Sequence, residues 1–164
     1  MNIEQIRNAK VLDLEVLKKH IAGHKIKGER IVFTNGCFDI IHSGHIHTLS
    51  EAKALGAKLI VGINSDDSVK RLKGTKRPIL SEDERALIVA ALSFVDYVIL
   101  FEEDTPFNLI KNLIPHILVK GGDYTIDEIV GADIVLKHGG NVEMIPFLSG
   151  FSTTNTIEKI IKGN

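Results

Sequence analysis

The sequence predicts an α/β protein: a three-layer α/β/α sandwich around a mostly parallel five-stranded sheet. Two observations carry this. From Gly28 onward short apolar runs alternate with stretches of helical period, and most of those stretches open on a capping residue. Strands separated by helices pair in parallel, with both faces of the sheet covered and with right-handed crossovers.

Each element has its own local warrant. Residues 1–26 read as a helical preface: Asp13 caps a helix whose apolar face is Leu14, Leu17 and Ile21, and Gly23 ends it. Residues 27–164 form the main unit. Ile31–Thr34 is the first buried strand. Ile46, Leu49, Ala52 and Leu55 recur at helical spacing until Gly56. Leu59–Ile63 is the second strand, followed by a short helix over 65–69 capped by Ser65. Residues 72–80 form a basic loop shaped by Gly74 and Pro78. Ser81 and Glu84 make a capping box for a helix through Leu92. Val95–Phe101 is the third strand. Thr105 and Pro106 supply a cap and a first-turn proline for a helix through Leu113. Ile117–Val119 is a short fourth strand running into Lys120–Tyr124. Asn141–Phe147 is the fifth, and Ser152 caps a last helix through Ile161.

Bulk properties narrow the class. The 164 residues suit one domain that buries about two-thirds of its unfolded surface. A formal net charge of −1 gives no bulk attraction to nucleic acid or to an anionic membrane, so neither is expected as a partner. Cys37 is the one cysteine, which excludes an intramolecular disulfide and fits a reducing compartment. No apolar run approaches the ~18 residues of a membrane span, and the polar N-terminus is not signal-like. A cytoplasmic location is expected.

The loops at 34–45, 64–80, 120–124 and 148–154 all follow strands, so they can converge at the carboxyl edge of the sheet, where such folds bind ligands. In the first, His42 and His45 flank Gly44 at a helix start and can face one space. A helix N-terminus attracts phosphate through its open N–H groups and dipole, and two imidazole donors there suit a triphosphate. Read on spacing alone, the pair is more simply two surface histidines in a loop. As zinc ligands they lack a cysteine cluster, and His47 is the one further candidate. Lys70, Arg71, Lys73, Lys76 and Arg77 form a basic run, which by itself is an ordinary solvated stretch. Lys73 and Arg77 are the candidates for phosphate contact, with the others solvated. Gly121, Gly122 and Asp123 make either a turn or a close approach to a ligand. Glu84 and Arg85 are expected to form an ion pair within their helix.

Thr34–His45 resembles the G-x-F-D-x-x-H-x-G-H motif of the cytidylyltransferase-like nucleotidyltransferases, a Rossmann-like superfamily. Asn64–Gly74, Arg77-Pro78-Ile79, Glu84-Arg85, Val119–Tyr124 and Gly150–Thr154 are similar to one branch, the D-glycero-β-D-manno-heptose 1-phosphate adenylyltransferases. The resemblance covers roughly residues 28–162. It implies transfer of AMP from ATP to the sugar 1-phosphate, with Mg²⁺ accompanying the ATP and no protein side chain as metal ligand. It implies that His42 and His45 contact the phosphates and that Lys73 joins them in catalysis. Cys37, Phe38, Gly44, Gly122, Asp123, Ser152, Thr153 and Thr154 would line the nucleotide, and Lys73 and Arg77 the acceptor phosphate. Cys37 is expected to do no thiol chemistry, and Asp39 to brace the loop or face the substrate, the structural role being the simpler one for a lone carboxylate. That branch is often fused to a sugar kinase, none is read in this sequence, and the acceptor is therefore expected from separate enzymes; a homodimer is typical of the family. Glycerol-phosphate cytidylyltransferases carry an arginine shortly before their Ser-Thr; Phe147–Phe151 has none. A CTP-dependent glycerol 3-phosphate enzyme is the first alternative, and a non-catalytic nucleotide-binding module the second.

Overall fold

The computed structural model describes residues 2–147 and 153–163. Its elements run α1 (Ile3–Lys10), α2 (Leu14–Ile26), β1 (Ile31–Gly36), α3 (Ser43–Ala54), β2 (Lys58–Asn64), α4 (Asp66–Lys73), α5 (Glu82–Ala90), β3 (Tyr97–Phe101), α6 (Phe107–Leu113), β4 (Ile117–Gly121), a 3-10 turn (Ile126–Glu128), α7 (Ala132–Lys137), β5 (Asn141–Ile145) and α8 (Thr153–Lys162). The strands form one sheet in the order β3-β2-β1-β4-β5. Every pairing is parallel, so the sheet is wholly rather than mostly parallel.

Burial on both faces explains the strand composition. Ile31 to Thr34 are four consecutive buried residues, as a strand covered on both sides requires. Their side chains alternate between two cores. Val32, Val61, Ile117 and Val119 meet Leu49 and Ala52 of α3 and Ala86 and Val89 of α5. Ile31, Phe33, Ile60 and Leu118 meet Leu17 and Ile21 of α2, Ile110 of α6 and Val135 of α7. The layers are therefore helix, sheet, helix.

The first 26 residues belong to this packing. They form two helices, the first opened by an Asn2–Gln5 capping box. Between them Val11 bridges to Val98 in parallel, and the Leu12 N–H donates to the Val98 carbonyl. This covers part of the free edge of β3. Asp13 caps α2 as expected, accepting from the Val16 N–H at 2.9 Å. Gly23 does not end it. The helix continues to Ile26 because its last turn is held: the Lys25 ammonium donates to the carbonyls of Leu113 and Ile114. Chain reversal falls instead on Gly28 at φ 73°, a conformation that glycine adopts without a Cβ penalty.

Other boundaries shift for local reasons. The helix after β2 runs to Lys73, well past Val69, because Lys70 pairs with Asp67 and Arg71 with Asp104. β3 begins at Tyr97, since Asp96 is held in a turn by the Leu59 N–H and the Lys53 ammonium. Pro106 sits at the cap of α6, one position earlier than a first-turn proline. β5 stops at Ile145 because Pro146 has no N–H to continue a ladder. α7, which sequence periodicity passed over, is a short helix that buries Ala132 and Val135. The expected cap Ser152 lies outside the described residues.

Candidate active site

Strand order reverses between β1 and β4. β1, β2 and β3 step one way across the sheet, while β4 and β5 lie on the other side of β1. Loops leaving the carboxyl ends of β1 and β4 must diverge there, which opens a crevice. The chain places Cys37–His42 on one lip and Lys120–Tyr124 on the other.

The first lip is held rigidly. Phe38 adopts φ 49°, unusual for a residue with a Cβ. Its buried ring packs close over Gly36 and lies 5.3 Å from the His45 ring. Phe38 thereby anchors the loop in the core. Asp39 is almost fully buried and accepts from the N–H groups of Ile79 and Leu80 and from the Arg77 guanidinium. It braces the loop, as expected, and pins residues 77–80 against it. Arg77 has its Nε tied to Asp39, so only its Nη groups remain for a ligand.

His42 stands at the N-terminal cap of α3 and His45 in its first turn. Their rings stack with centroids 3.9 Å apart. Burial lowers the pKa of both; for His45 burial and the neighbouring His42 bring it down to about 4. Both imidazoles are therefore neutral at pH 7, and their stacking disfavours protonating the two together. The buried His45 Nδ1 has no hydrogen-bond partner among the described residues. Neutral imidazoles still donate one N–H each, toward charge that develops on a ligand. Gly44 is buried in the same turn, its carbonyl accepting from the Thr48 hydroxyl.

A second helix start reaches this loop. The Thr153 hydroxyl, in the first turn of α8, donates to the Ile40 carbonyl at 3.2 Å. Thr154 follows it, exposed. Two helix N-termini thus approach one space, an arrangement suited to a polyanion. On the opposite lip Gly122 sits at φ 118°. A Cβ there would lie within 3 Å of the rings of both Phe147 and Tyr124, so only glycine fits. Asp123 beside it is exposed to the crevice edge.

Arg85 is the residue that sequence reasoning misassigned. It does not pair with Glu84, which closes a capping box with Ser81. It is fully buried and donates to the carbonyls of Cys37 (2.5 Å), Asn64 (2.8 Å) and Leu80 (3.1 Å) and to the Asp66 carboxylate (2.9 Å). One guanidinium thus ties the ends of β1 and β2 to the start of α4 and to the 74–80 loop. The signal was present: Arg85 shares the helical face of Val89, at spacing i, i+4.

Of the basic run, Lys70 and Arg71 are engaged in surface ion pairs rather than simply solvated. Lys73, at the end of α4, is exposed and close enough to influence the Cys37 thiol. Burial raises the pKa of that thiol, so it stays protonated and unreactive. Among the described residues no three His, Cys, Asp or Glu side chains stand together as metal ligands, and no helix is long and apolar enough to cross a membrane. An open groove beside β3 is lined by Asp66, Asp67, Glu82 and Glu102 and contains neither histidine. Its acidity is the wrong sign for phosphate.

Comparison with known proteins agrees with this geometry. Residues 33–158 match the family described as cytidylyltransferase-like. The chain is 55% identical over 155 residues to the bifunctional protein HldE of Geobacter sulfurreducens, covering 94% of this chain and 32% of that protein. It therefore spans about a third of the length of the curated relatives it matches. Among solved structures it resembles a lipopolysaccharide core biosynthesis protein from Thermoplasma volcanium, with 34% identity and a TM-score of 0.60, over 74% of this chain and 98% of that one. A pantoate–beta-alanine ligase from Francisella tularensis, solved with beta-gamma ATP and beta-alanine, shares the fold alone, at 16% identity and a TM-score of 0.60 over 93% of this chain and 77% of that one.

Proposed function

Since the chain belongs to the cytidylyltransferase-like family, we propose that it transfers AMP from ATP to D-glycero-β-D-manno-heptose 1-phosphate, giving ADP-heptose and pyrophosphate. The observation that carries this reading is the stacked His42–His45 pair at the start of α3, at the switch point of the sheet. The heptose branch is favoured by the motifs from Asn64 to Thr154 and by the likeness to HldE and to a lipopolysaccharide core protein.

The acceptor phosphate is already an anion and attacks the α-phosphorus directly. One P–O bond forms to it, and the bond to the pyrophosphate oxygen breaks, so no protein nucleophile is needed. The protein's contribution is alignment and donors aimed at the charge on the departing pyrophosphate. His42 and His45 supply N–H groups, and the first turns of α3 and α8 add backbone donors, including those at Thr153 and Thr154. Lys73, on the end of α4, brings a mobile cation. Cys37 and Phe38 line the nucleotide with backbone, and Gly122 and Asp123 border the ribose and base. Mg²⁺ would accompany the ATP, bound mainly through the phosphates and water, and would supply charge neutralisation there. A cytoplasmic homodimer with residues 1–26 as cover for the sheet completes the proposal.

Pyrophosphate release decides between the readings, followed with ATP, CTP and GTP against heptose 1-phosphate and glycerol 3-phosphate. Turnover of ATP with heptose 1-phosphate is expected. Turnover of CTP with glycerol 3-phosphate alone overturns the proposal, and ATP binding without pyrophosphate release for any acceptor makes the chain a binding module.

A further inference from the structure

We propose that Lys120 binds the phosphate of the acceptor, facing Lys73 across the carboxyl end of β1. This rests on the reading of the chain as a nucleotidyltransferase with a phosphate acceptor.

Lys120 lies on β4, which the strand order puts beside β1 at the switch point. It is half-buried, yet it makes no hydrogen bond or ion pair among the described residues. Burial lowers its pKa, and the positive charge of Lys73 lowers it further. Two cations brought together without a carboxylate repel each other and are poorly hydrated. An anion between them reverses both penalties. Of the rest of the basic run, Arg77 pairs with Asp39, Arg71 with Asp104 and Lys70 with Asp67, while Lys76 is exposed.

The side of the sheet identifies which phosphate. Along β4 Ile117 and Val119 enter the core layer shared with α3, while Leu118 enters the opposite one. Alternation sends Lys120 the way of Leu118. His42 and His45 begin α3, on the first side. In-line displacement at phosphorus puts the entering and leaving oxygens on opposite sides. With pyrophosphate placed at the histidines, the proposal assigns Lys120 to the entering phosphate.

The test compares wild type with K120M and K120R by steady-state pyrophosphate release and by thermal melting. In K120M the KM for heptose 1-phosphate is expected to rise about tenfold or more, the loss of a charged hydrogen bond, while the KM for ATP stays within about twofold. K120R is expected to recover part of the loss. Without ligand, K120M is expected to melt at or above the wild-type temperature, since it removes an uncompensated charge. The rise in melting temperature that heptose 1-phosphate gives wild type is expected to shrink. A raised KM for ATP with the acceptor KM unchanged would overturn the proposal, as would no change in either. If wild type turns over a different phosphate acceptor of the panel, the function reading fails. The same comparison with that acceptor still judges Lys120.

Discussion

His45 shows how one side chain's surroundings set its chemistry. Its pKa is lowered to about 4 by burial and by the stacked His42, against an unfolded value near 6.5. Below pH 6.5 the unfolded chain takes up a proton that the folded imidazole refuses, so stability is lost as pH falls from about 6.5 through about 4. Wild type is expected to lose roughly 1 to 2 kcal/mol more than His45→Asn between pH 7 and pH 5, read by denaturant unfolding. Arg85 matters for placement rather than charge. Arg85→Met leaves the Cys37, Asn64 and Leu80 carbonyls and the Asp66 carboxylate without their donor. It is expected to cost about 3 kcal/mol in the same melts and to lower turnover as the Cys37 loop loosens. Asp13, Ser65 and Ser81 were legible as caps because their partners lie three residues away. The partners of Arg85 lie 5 to 48 residues away, and no local pattern reveals them.

At the scale of elements, helix starts were legible and helix ends less so. A cap is one residue's chemistry, whereas the end of α2 depends on Lys25 reaching the last carbonyls of α6, and that of α4 on pairs with neighbouring loops. α2 illustrates how an apparent preface becomes core. Leu17 is fully buried in the core layer that contains Ile31 and Phe33 of β1 and Ile110 of α6. Leu17→Ala is expected to destabilise the whole protein by about 2 to 5 kcal/mol, in one cooperative transition with no separate melting of residues 1–26. A separate early transition in calorimetry would mean that α1 and α2 form an independent unit.

For the whole molecule the decisive feature is where the strand order turns. Two loops separated by about half the chain, Cys37–His42 and Lys120–Tyr124, meet only because β4 lies beside β1. A ligand held between them joins the two halves of the sheet and stabilises the native state by mass action. ATP at about 100 times its Kd is expected to add about 2.7 kcal/mol, read as a raised melting temperature. The succession of the five strands along the chain, their parallel pairing, the caps at Asp13, Ser65 and Ser81 and the His42–Gly44–His45 loop were determined by the sequence alone. Each is written in periodicity or in residues a few positions apart. The tertiary structure alone decided that Arg77 is held by Asp39, that Arg85 knits four segments together, and that Lys120 is half-buried beside β1. Those outcomes depend on which distant groups burial brings within hydrogen-bonding and charge range, and long-range packing, unlike local propensity, leaves no fixed spacing in the chain.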